Sequence, residues 1–360
     1  MRSAVLNAPG TALTLNDVDT TELAPDEILV AIAGVGICHT DLAVIDGVLP
    51  LPTPLVLGHE GSGVVERVGS AVTSLRPGDR VVCSFDSCRS CAECGGGRPA
   101  YCTNFAPLNY AGSRADGTTA LQLAGNPLHG SWFGQSSWGT HAVASSRNSV
   151  RVDPDLPLEI LGPLGCGLLT GAGAVFNVQR PNPGQTYGVW GLGPVGLAAV
   201  MAAKATGCTT IVAVDPNPAR REIAHDLGAT HSYDATPDLA ETIVAELGGL
   251  DFTLEAVGAG PVIRQALEAL RSPGLCVTVG FRGMENEMTL NQGHLLQGRT
   301  LRGVIEGDAD PHEFIPRLIE LWRAGDFPFD RLIDTYPLAQ INQAIGDFRA
   351  GKALKPILIP

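Results

Sequence analysis

Four of the nine cysteines fall within DSCRSCAECGGGRPAYC, where Cys88, Cys91, Cys94 and Cys102 form a Cys-x2-Cys-x2-Cys-x7-Cys pattern. Four soft thiolates at short spacing suit a tetrahedral zinc ion, and a complete shell of protein ligands leaves no position for substrate. Gly95, Gly96 and Gly97 allow the loop to close tightly around such an ion. Iron–sulfur ligation is the rival chemistry, but the last gap is longer than in the usual bacterial ferredoxin run. The cluster reads as a closed, structural zinc site.

A catalytic metal has a different signature, three protein ligands and one open position. The candidates are Cys38 in GICHTD, His59 in LGHEGSG and Cys166 in PLGCGLLTG, each in a glycine-flanked turn where a side chain can face a cleft. Spacing alone does not assemble three residues so far apart, and a lone loop histidine is more often a hydrogen-bonded surface residue.

A third chemistry-bearing stretch is GLGPVG, where Gly191, Gly193 and Gly196 take the G-x-G-x-x-G form around Pro194 and Val195. A strand precedes it, an alanine-rich helix follows, and Asp215 ends the next strand about twenty residues on. The first glycine permits a tight turn, the second lets a pyrophosphate approach, and the third lets helix and strand pack closely. The helix N-terminus then offers free N–H groups to the anion. Asp215 favours NAD over NADP, because its carboxylate accepts from ribose hydroxyls and repels a 2′-phosphate. Like charges about 4 Å apart cost about 1 kcal/mol in water and about 4 kcal/mol at an effective dielectric of 20. Arg220 is expected beside the adenosine ribose, with a solvated helix position as the alternative.

These residues need two kinds of scaffold. Residues 1 to about 160 read as short strands broken by Gly and Pro, including EILVAIAGVGIC, GSGVVERVG and RVVCSF, a β-rich domain with long loops. From QTYGVW onward, strands and helices alternate through TTIVAVD, PARREIAHDLG, THSYDA, LAETIVAELGG, DFTLEAVG, GPVIRQALEAL and GLCVTVGF. That alternation predicts a doubly wound parallel sheet. The tail carries helices and a last apolar strand, KPILIP.

The chain has 360 residues, room for two domains, and its 44% hydrophobic content supplies their cores. No run approaches the ~18 apolar residues of a membrane span, and MRSAVLNAPG reads as a first strand rather than a signal peptide. A cytoplasmic location is expected. The net charge of −13 repels phosphate backbones and anionic lipid, so neither nucleic acid nor membrane is an expected partner. Cysteines in a reducing compartment serve as metal ligands or core residues rather than disulfides, and Cys83, Cys208 and Cys276 read as core.

GICHTD, GHEGSGVVERVGSAV, the four-cysteine lobe, GCGLLTGAG and GLGPVG…VD, in this order and over nearly the whole chain, resemble the zinc-dependent medium-chain alcohol dehydrogenases. The resemblance implies an α/β plus β protein. A chaperonin-10-like β-rich catalytic domain would span 1–167 and 306–360, with a zinc lobe at about 86–105, and a Rossmann domain would span 168–305. It implies one structural and one catalytic zinc, the latter held by Cys38, His59 and Cys166, and NAD as the hydride acceptor for a small-molecule alcohol, reversibly to the aldehyde. It further implies that Asp41 orients His59, that Glu60 sits behind the zinc and helps ligand exchange, and that the Thr40 hydroxyl takes the substrate proton. Thr170 is implied beside the nicotinamide, and His39 and Lys355 near the pyrophosphate, with an exposed lysine as the alternative for Lys355. Ala43 stands where some members carry a relay histidine, which implies slower or solvent-assisted deprotonation at low pH.

Within the family, GICHTDL, LPTPLVLGHEG, YCTNF, SRADGTTAL and GSWFGQSSWGTHAV look most like the aryl-alcohol (benzyl alcohol) dehydrogenases. The pocket positions implied are Leu49, Phe85, Trp132, Phe281 and Ile305, with Phe281 also beside the cofactor. Such walls suit a flat or branched apolar group, with the metal as polar anchor. Allylic terpenoid alcohols such as geraniol fit the same kind of pocket, and formaldehyde- or polyol-type activity is a further alternative. A zinc-less relative is opposed by the presence of all three ligands, and a zinc-ribbon binding module by the acidic balance and the dinucleotide motif. A homodimer is implied, or a homotetramer, with GRTLRGVIEG as a pairing edge strand.

Overall fold

The computed structural model describes residues 1–283 and 285–360. They divide into one unit of Met1–Cys166, Asp310–Pro316 and Asp330–Pro360 and another of Gly167–Ala309 and Arg317–Phe329. The tail, expected to join the first domain from 306 onward, is therefore shared, with 306–309 and 317–329 grouped in the second unit.

The first unit is built around the strand Glu27–Gly36, which pairs antiparallel with Gly61–Val68, His141–Ser145 and Lys355–Ile359. Arg80–Cys83 and Ser149–Arg151 extend the sheet on one side, and Ile333–Pro337 on the other. The register against Gly61–Val68 shifts between Leu29 and Val30 and again between Ile32 and Gly34, and bulges of this kind bend a strand. At Gly34 a Cβ would lie 2.1 Å from the Glu159 carbonyl oxygen, so only glycine lets the 158–160 turn lie against the bend. Two small sheets complete the unit, Thr14–Asp17 with Arg2–Leu6 and Leu55–Val56, and Asp19–Thr20 with Leu121–Leu123 and Asn126–Leu128. Val5, Val56, Leu121, Leu128 and Val143 bury a common core between them.

The second unit is a six-stranded, all-parallel sheet in the order His231–Tyr233, Thr210–Val214, Thr186–Trp190, Leu250–Glu255, Leu270–Thr278, Arg299–Gly303. The strands Thr186–Trp190 and Thr210–Val214 are buried along all but their first residue, as expected where helices cover a parallel sheet on both faces. Proline occupies the first position of the helices Pro194–Ala205 and Pro218–Leu227, where its missing N–H costs no hydrogen bond. Asn217 caps the second of these by accepting from the Ala219 N–H at 3.0 Å. Trp190, Val214, Ile243, Leu250 and Leu267 are buried together against the sheet, each contributing about 1.5–3 kcal/mol by burial. No helix among the described residues is long and apolar enough to cross a membrane.

Candidate active site

The bent central strand runs out at Gly36 and delivers Cys38 as the extended residue that caps the short helix His39–Ile45. Asp41, in the first turn of that helix, accepts from the Cys38 N–H through Oδ2 at 3.1 Å. Its other oxygen, Oδ1, lies 2.9 Å from His59 Nδ1 and accepts from the Gly58 N–H at 3.2 Å. One buried carboxylate thus ties the backbone of one candidate ligand to the ring of another. With Nδ1 engaged by Asp41, His59 turns Nε2 toward Cys166 Sγ at 3.2 Å. Cys166 follows the Gly162–Gly165 turn, and both glycines are needed there by proximity. A Cβ on Gly162 would meet the Glu60 carbonyl oxygen at 1.9 Å, and one on Gly165 the Cys83 carbonyl oxygen at 2.1 Å. The glycine flanks therefore exist so that backbone can lie on backbone and bring Cys166 to His59.

Donor atoms of Cys38, His59, Glu60 and Cys166 all lie within 4.8 Å of one another. Two thiols and an imidazole so gathered, with a carboxylate behind the ring, fit zinc with an open position. Electrostatics agree. The Cys38 thiol is held well below its ordinary range by its hydrogen bond with Cys166, against the opposing effect of burial, with further help from His59. Burial works against a charged His59, but the Asp41 carboxylate overcomes it and raises the ring's basicity.

Beside this cluster, Lys355 and Glu60 form a buried ion pair. The lysine Nζ lies 2.7 Å from Oε1 and 2.6 Å from Oε2, and donates to the Ile37 carbonyl oxygen at 3.1 Å. Burial opposes the ammonium charge, but Glu60, with Cys38 and Cys166 adding to it, holds the lysine above its ordinary value. Burial in turn pushes the Glu60 carboxyl up, with Lys355 pulling the other way. Lys355, expected at a pyrophosphate or in solvent, is 1% exposed. The reason is its place at the start of the last strand, whose pairing with Glu27–Gly36 carries the side chain inward to Glu60.

The four-cysteine lobe is a separate cluster whose sulfurs also lie within 4.8 Å of one another. Backbone N–H groups of Cys88 and Asn104 donate to Cys102 Sγ, and that of Cys91 to Cys88 Sγ. The Ser90 N–H brings Cys88 down to about 5, and the Cys94 N–H brings Cys91 down to about 7. Burial pushes Cys94 up to about 12 and raises Cys102. Four thiolates gathered this closely repel one another and need a cation among them. This donor set fits a closed zinc shell.

In the second unit, Gly191 takes a φ of +90°, and a Cβ on Gly196 would lie 1.9 Å from the Gly191 carbonyl oxygen. The space beside Gly193 is open to 4 Å, and Pro194 and Val195 begin the helix behind it. Asp215 is buried. Its Oδ2 accepts from the Leu192 N–H at 2.9 Å and its Oδ1 from the Asn217 N–H at 2.8 Å, with Arg220 3.6 Å away. The carboxylate thus also braces the glycine turn. Replacing Asp215 by asparagine is expected to improve kcat/KM with NADP about tenfold or more by removing a like charge, and to raise KM for NAD by loosening that turn. Steady-state kinetics with both cofactors checks this, and an unchanged NAD-to-NADP ratio would sink the electrostatic argument.

The other expected residues are distributed as follows. Thr40 Oγ1 lies 3.6 Å from Cys38 Sγ. His39 is exposed on the same helix, its ring 4.4 Å from that of Phe348. Leu49 is half-buried, and Phe85 is buried with its ring 5.7 Å from Phe105. Thr170 and Ile305 are half-buried in the second unit, where Phe281 is 47% exposed. Trp132 departs from its expected place in a pocket wall. It is 0% exposed, and its indole N–H donates to Asp41 Oδ1 at 2.9 Å, because a buried indole needs a polar partner and Asp41 provides one. Sequence reasoning missed Gln135, whose buried amide donates to the carbonyl oxygens of His59 and Ser84 and accepts from the Gly61 N–H. The only signal was an amide residue in an otherwise small and aromatic run.

A closed thiolate cluster, a second cluster of cysteine and histidine, and a dinucleotide-type sheet define a metal- and nucleotide-dependent oxidoreductase. Residues 24–148 match the alcohol dehydrogenase GroES-like domain and residues 194–323 the zinc-binding dehydrogenase family. The chain is 47% identical to geraniol dehydrogenase of Castellaniella defragrans, covering 99% of this chain and 97% of that one. The crystal structure of benzyl alcohol dehydrogenase from Acinetobacter calcoaceticus matches with a TM-score of 0.96 at 40% identity, covering 99% of this chain and 98% of that one. Identity to S-(hydroxymethyl)glutathione dehydrogenase of Escherichia coli is 33%, with 99% of each chain covered. The chain belongs to the zinc-dependent medium-chain alcohol dehydrogenase family. It is an alcohol dehydrogenase that uses zinc and NAD, with a GroES-like catalytic unit and a Rossmann-type parallel sheet.

Proposed function

We propose that the enzyme oxidises primary alcohols whose carbinol carbon adjoins an aromatic ring or a carbon–carbon double bond, giving the conjugated aldehyde. The observation that carries this reading is full-length similarity to both a geraniol and a benzyl alcohol dehydrogenase. Those two alcohols share one feature, an sp2 carbon beside the carbinol, which stabilises the aldehyde by conjugation. Apolar side chains suited to such a group are Leu49 and Phe85 in the first unit and, separately, Phe281 and Ile305 in the second.

Cys38, His59 and Cys166 would hold the catalytic zinc, and Cys88, Cys91, Cys94 and Cys102 the structural one. When bound, zinc supplies Lewis acidity to the alcohol oxygen and NAD the hydride acceptor. Asp41 keeps His59 Nε2 directed inward. Thr40 Oγ1 is assigned as the first acceptor of the alcohol proton, on a helix where Ala43 offers no onward carrier. Gly191, Gly193 and Gly196, the helix beginning at Pro194, and Asp215 with Arg220 are assigned to the cofactor's pyrophosphate and ribose, and Thr170 to its nicotinamide side. The strand Arg299–Gly303, outermost in its sheet, is assigned to pairing with a second copy in a cytoplasmic homodimer.

The test is initial NADH formation with benzyl alcohol, geraniol, ethanol and S-(hydroxymethyl)glutathione, compared by kcat/KM. Benzyl alcohol and geraniol are expected to exceed ethanol by about 10²-fold or more, the value of a few buried methylenes. Preference for S-(hydroxymethyl)glutathione would assign the enzyme to the other branch represented among its relatives.

A further inference from the structure

We propose that the turn 131–136 is a positioning device for the metal ligand His59, with the Trp132 indole N–H acting on it through Asp41. The proposal rests on the reading of His59 as a zinc ligand. Three donors converge on Asp41 Oδ1: the Gly58 N–H at 3.2 Å, His59 Nδ1 at 2.9 Å and Trp132 Nε1 at 2.9 Å. The indole nitrogen is also 3.2 Å from His59 Nδ1. A carboxylate oxygen saturated by directed N–H groups in a buried place has little freedom to swing, and the imidazole it holds keeps its orientation with it.

The same turn holds His59 in two further ways. The Phe133 ring stacks on the imidazole, 4.4 Å between centroids with 20° between planes. The Gln135 amide donates to the His59 carbonyl oxygen at 2.8 Å. Trp132 and Phe133 are only 0% and 2% exposed, so packing on every side holds both rings in place.

The backbone of the turn is unusual. Ser131, Phe133 and Ser136 have φ of 56°, 51° and 49°, a left-handed region that costs energy for any residue with a Cβ. It is held there by its surroundings. Asn148 donates to the Phe133 carbonyl oxygen at 2.8 Å, the Ser136 hydroxyl donates to that of Val56 at 2.7 Å, and the Trp132 N–H donates to Ser136 Oγ at 3.0 Å. Strained backbone of this kind persists where geometry is over-determined, and here its outcome is two aromatic side chains set against one imidazole.

The test uses the full-length, zinc-loaded enzyme and follows transfer of zinc to a chromophoric chelator. Trp132→Phe removes the N–H. Replacing Trp132 by β-(3-benzothienyl)alanine removes it at nearly constant volume and covers a case in which the phenylalanine variant fails to fold. Both are expected to release one zinc equivalent about 10–100-fold faster, with the other unchanged and kcat lowered over a similar range. With Asp41→Asn already in place, Trp132→Phe is expected to add no further acceleration, since the indole acts through that carboxylate. Unchanged zinc release in both Trp132 variants, or effects of Trp132→Phe and Asp41→Asn that simply multiply, would overturn the proposal and leave Trp132 a packing residue. If His59→Ala itself leaves both zinc equivalents bound, the ligand reading has failed and the positioning role falls with it.

Discussion

A Cys166→Ala protein is expected to bind one zinc ion per chain where the parent binds two, and to lose about a thousandfold in kcat/KM. The magnitude follows from the several kcal/mol that a Lewis acid contributes to a developing oxyanion, at one decade in rate per 1.36 kcal/mol. The geometry explains why the loss should be local. Cys166 Sγ is 3.2 Å from His59 Nε2, while His59 remains held by Asp41 and Cys38 by its own backbone contact. The fold is therefore expected to survive, with near-parental thermal stability. Cys91→Ser makes the contrast. Among the described residues the lobe's four thiols form a cluster separate from that of Cys38, His59, Glu60 and Cys166, so that variant should lose thermal stability first, with turnover per folded molecule retained. Zinc analysis, melting curves and active-site titration on the two proteins check the division. A Cys166→Ala enzyme with two zinc ions and parental activity would refute it.

The second large effect is on stability. Lys355→Met should destabilise the protein by about 3–5 kcal/mol, because it leaves the Glu60 carboxylate in a buried place without its cation. Both side chains are fully buried, at 2% and 0% exposure, so solvent offers no replacement partner. Adding Glu60→Gln to Lys355→Met should restore much of the loss, since a buried ion pair is strongly felt when one half is removed and far less when both are. Urea unfolding of the single and double variants measures this. If the double variant is as unstable as the sum of the singles, the pair is not coupled and the effect is one of packing.

Chemistry-bearing residues were legible because few residue types bind metal or permit a sharp turn. The four-cysteine run declares itself by spacing, and Gly191, Gly193 and Gly196 by their place between a strand and a helix. Assembly was less legible. His59 and Cys166 are separated by 107 residues, a distance no hydrophobic period spans, and family resemblance alone brought them together. Lys355 illustrates a different difficulty, since lysine is rarely buried unless paired, and its partner lies 295 residues earlier. The apolar bulk of Trp132 points to a pocket wall, although its single N–H decides where it sits. The alternating strands and helices of the parallel sheet were read directly, while Leu121–Leu123 and Asn126–Leu128, three residues each, are too short for period-two alternation to register.

The strand Lys355–Ile359 lies beside Glu27–Gly36, the strand that leads into Cys38. In the order of synthesis these two neighbours are nearly the whole chain apart. The entire parallel-sheet unit must leave the ribosome before the last strand can take its place and Lys355 can neutralise Glu60. Until then the central strand of the catalytic unit has an open edge and the region behind the metal site carries an uncompensated carboxylate. The part of the protein translated first is thus the part finished last, since Glu27–Gly36 gains its Lys355–Ile359 neighbour only after the parallel sheet has been made.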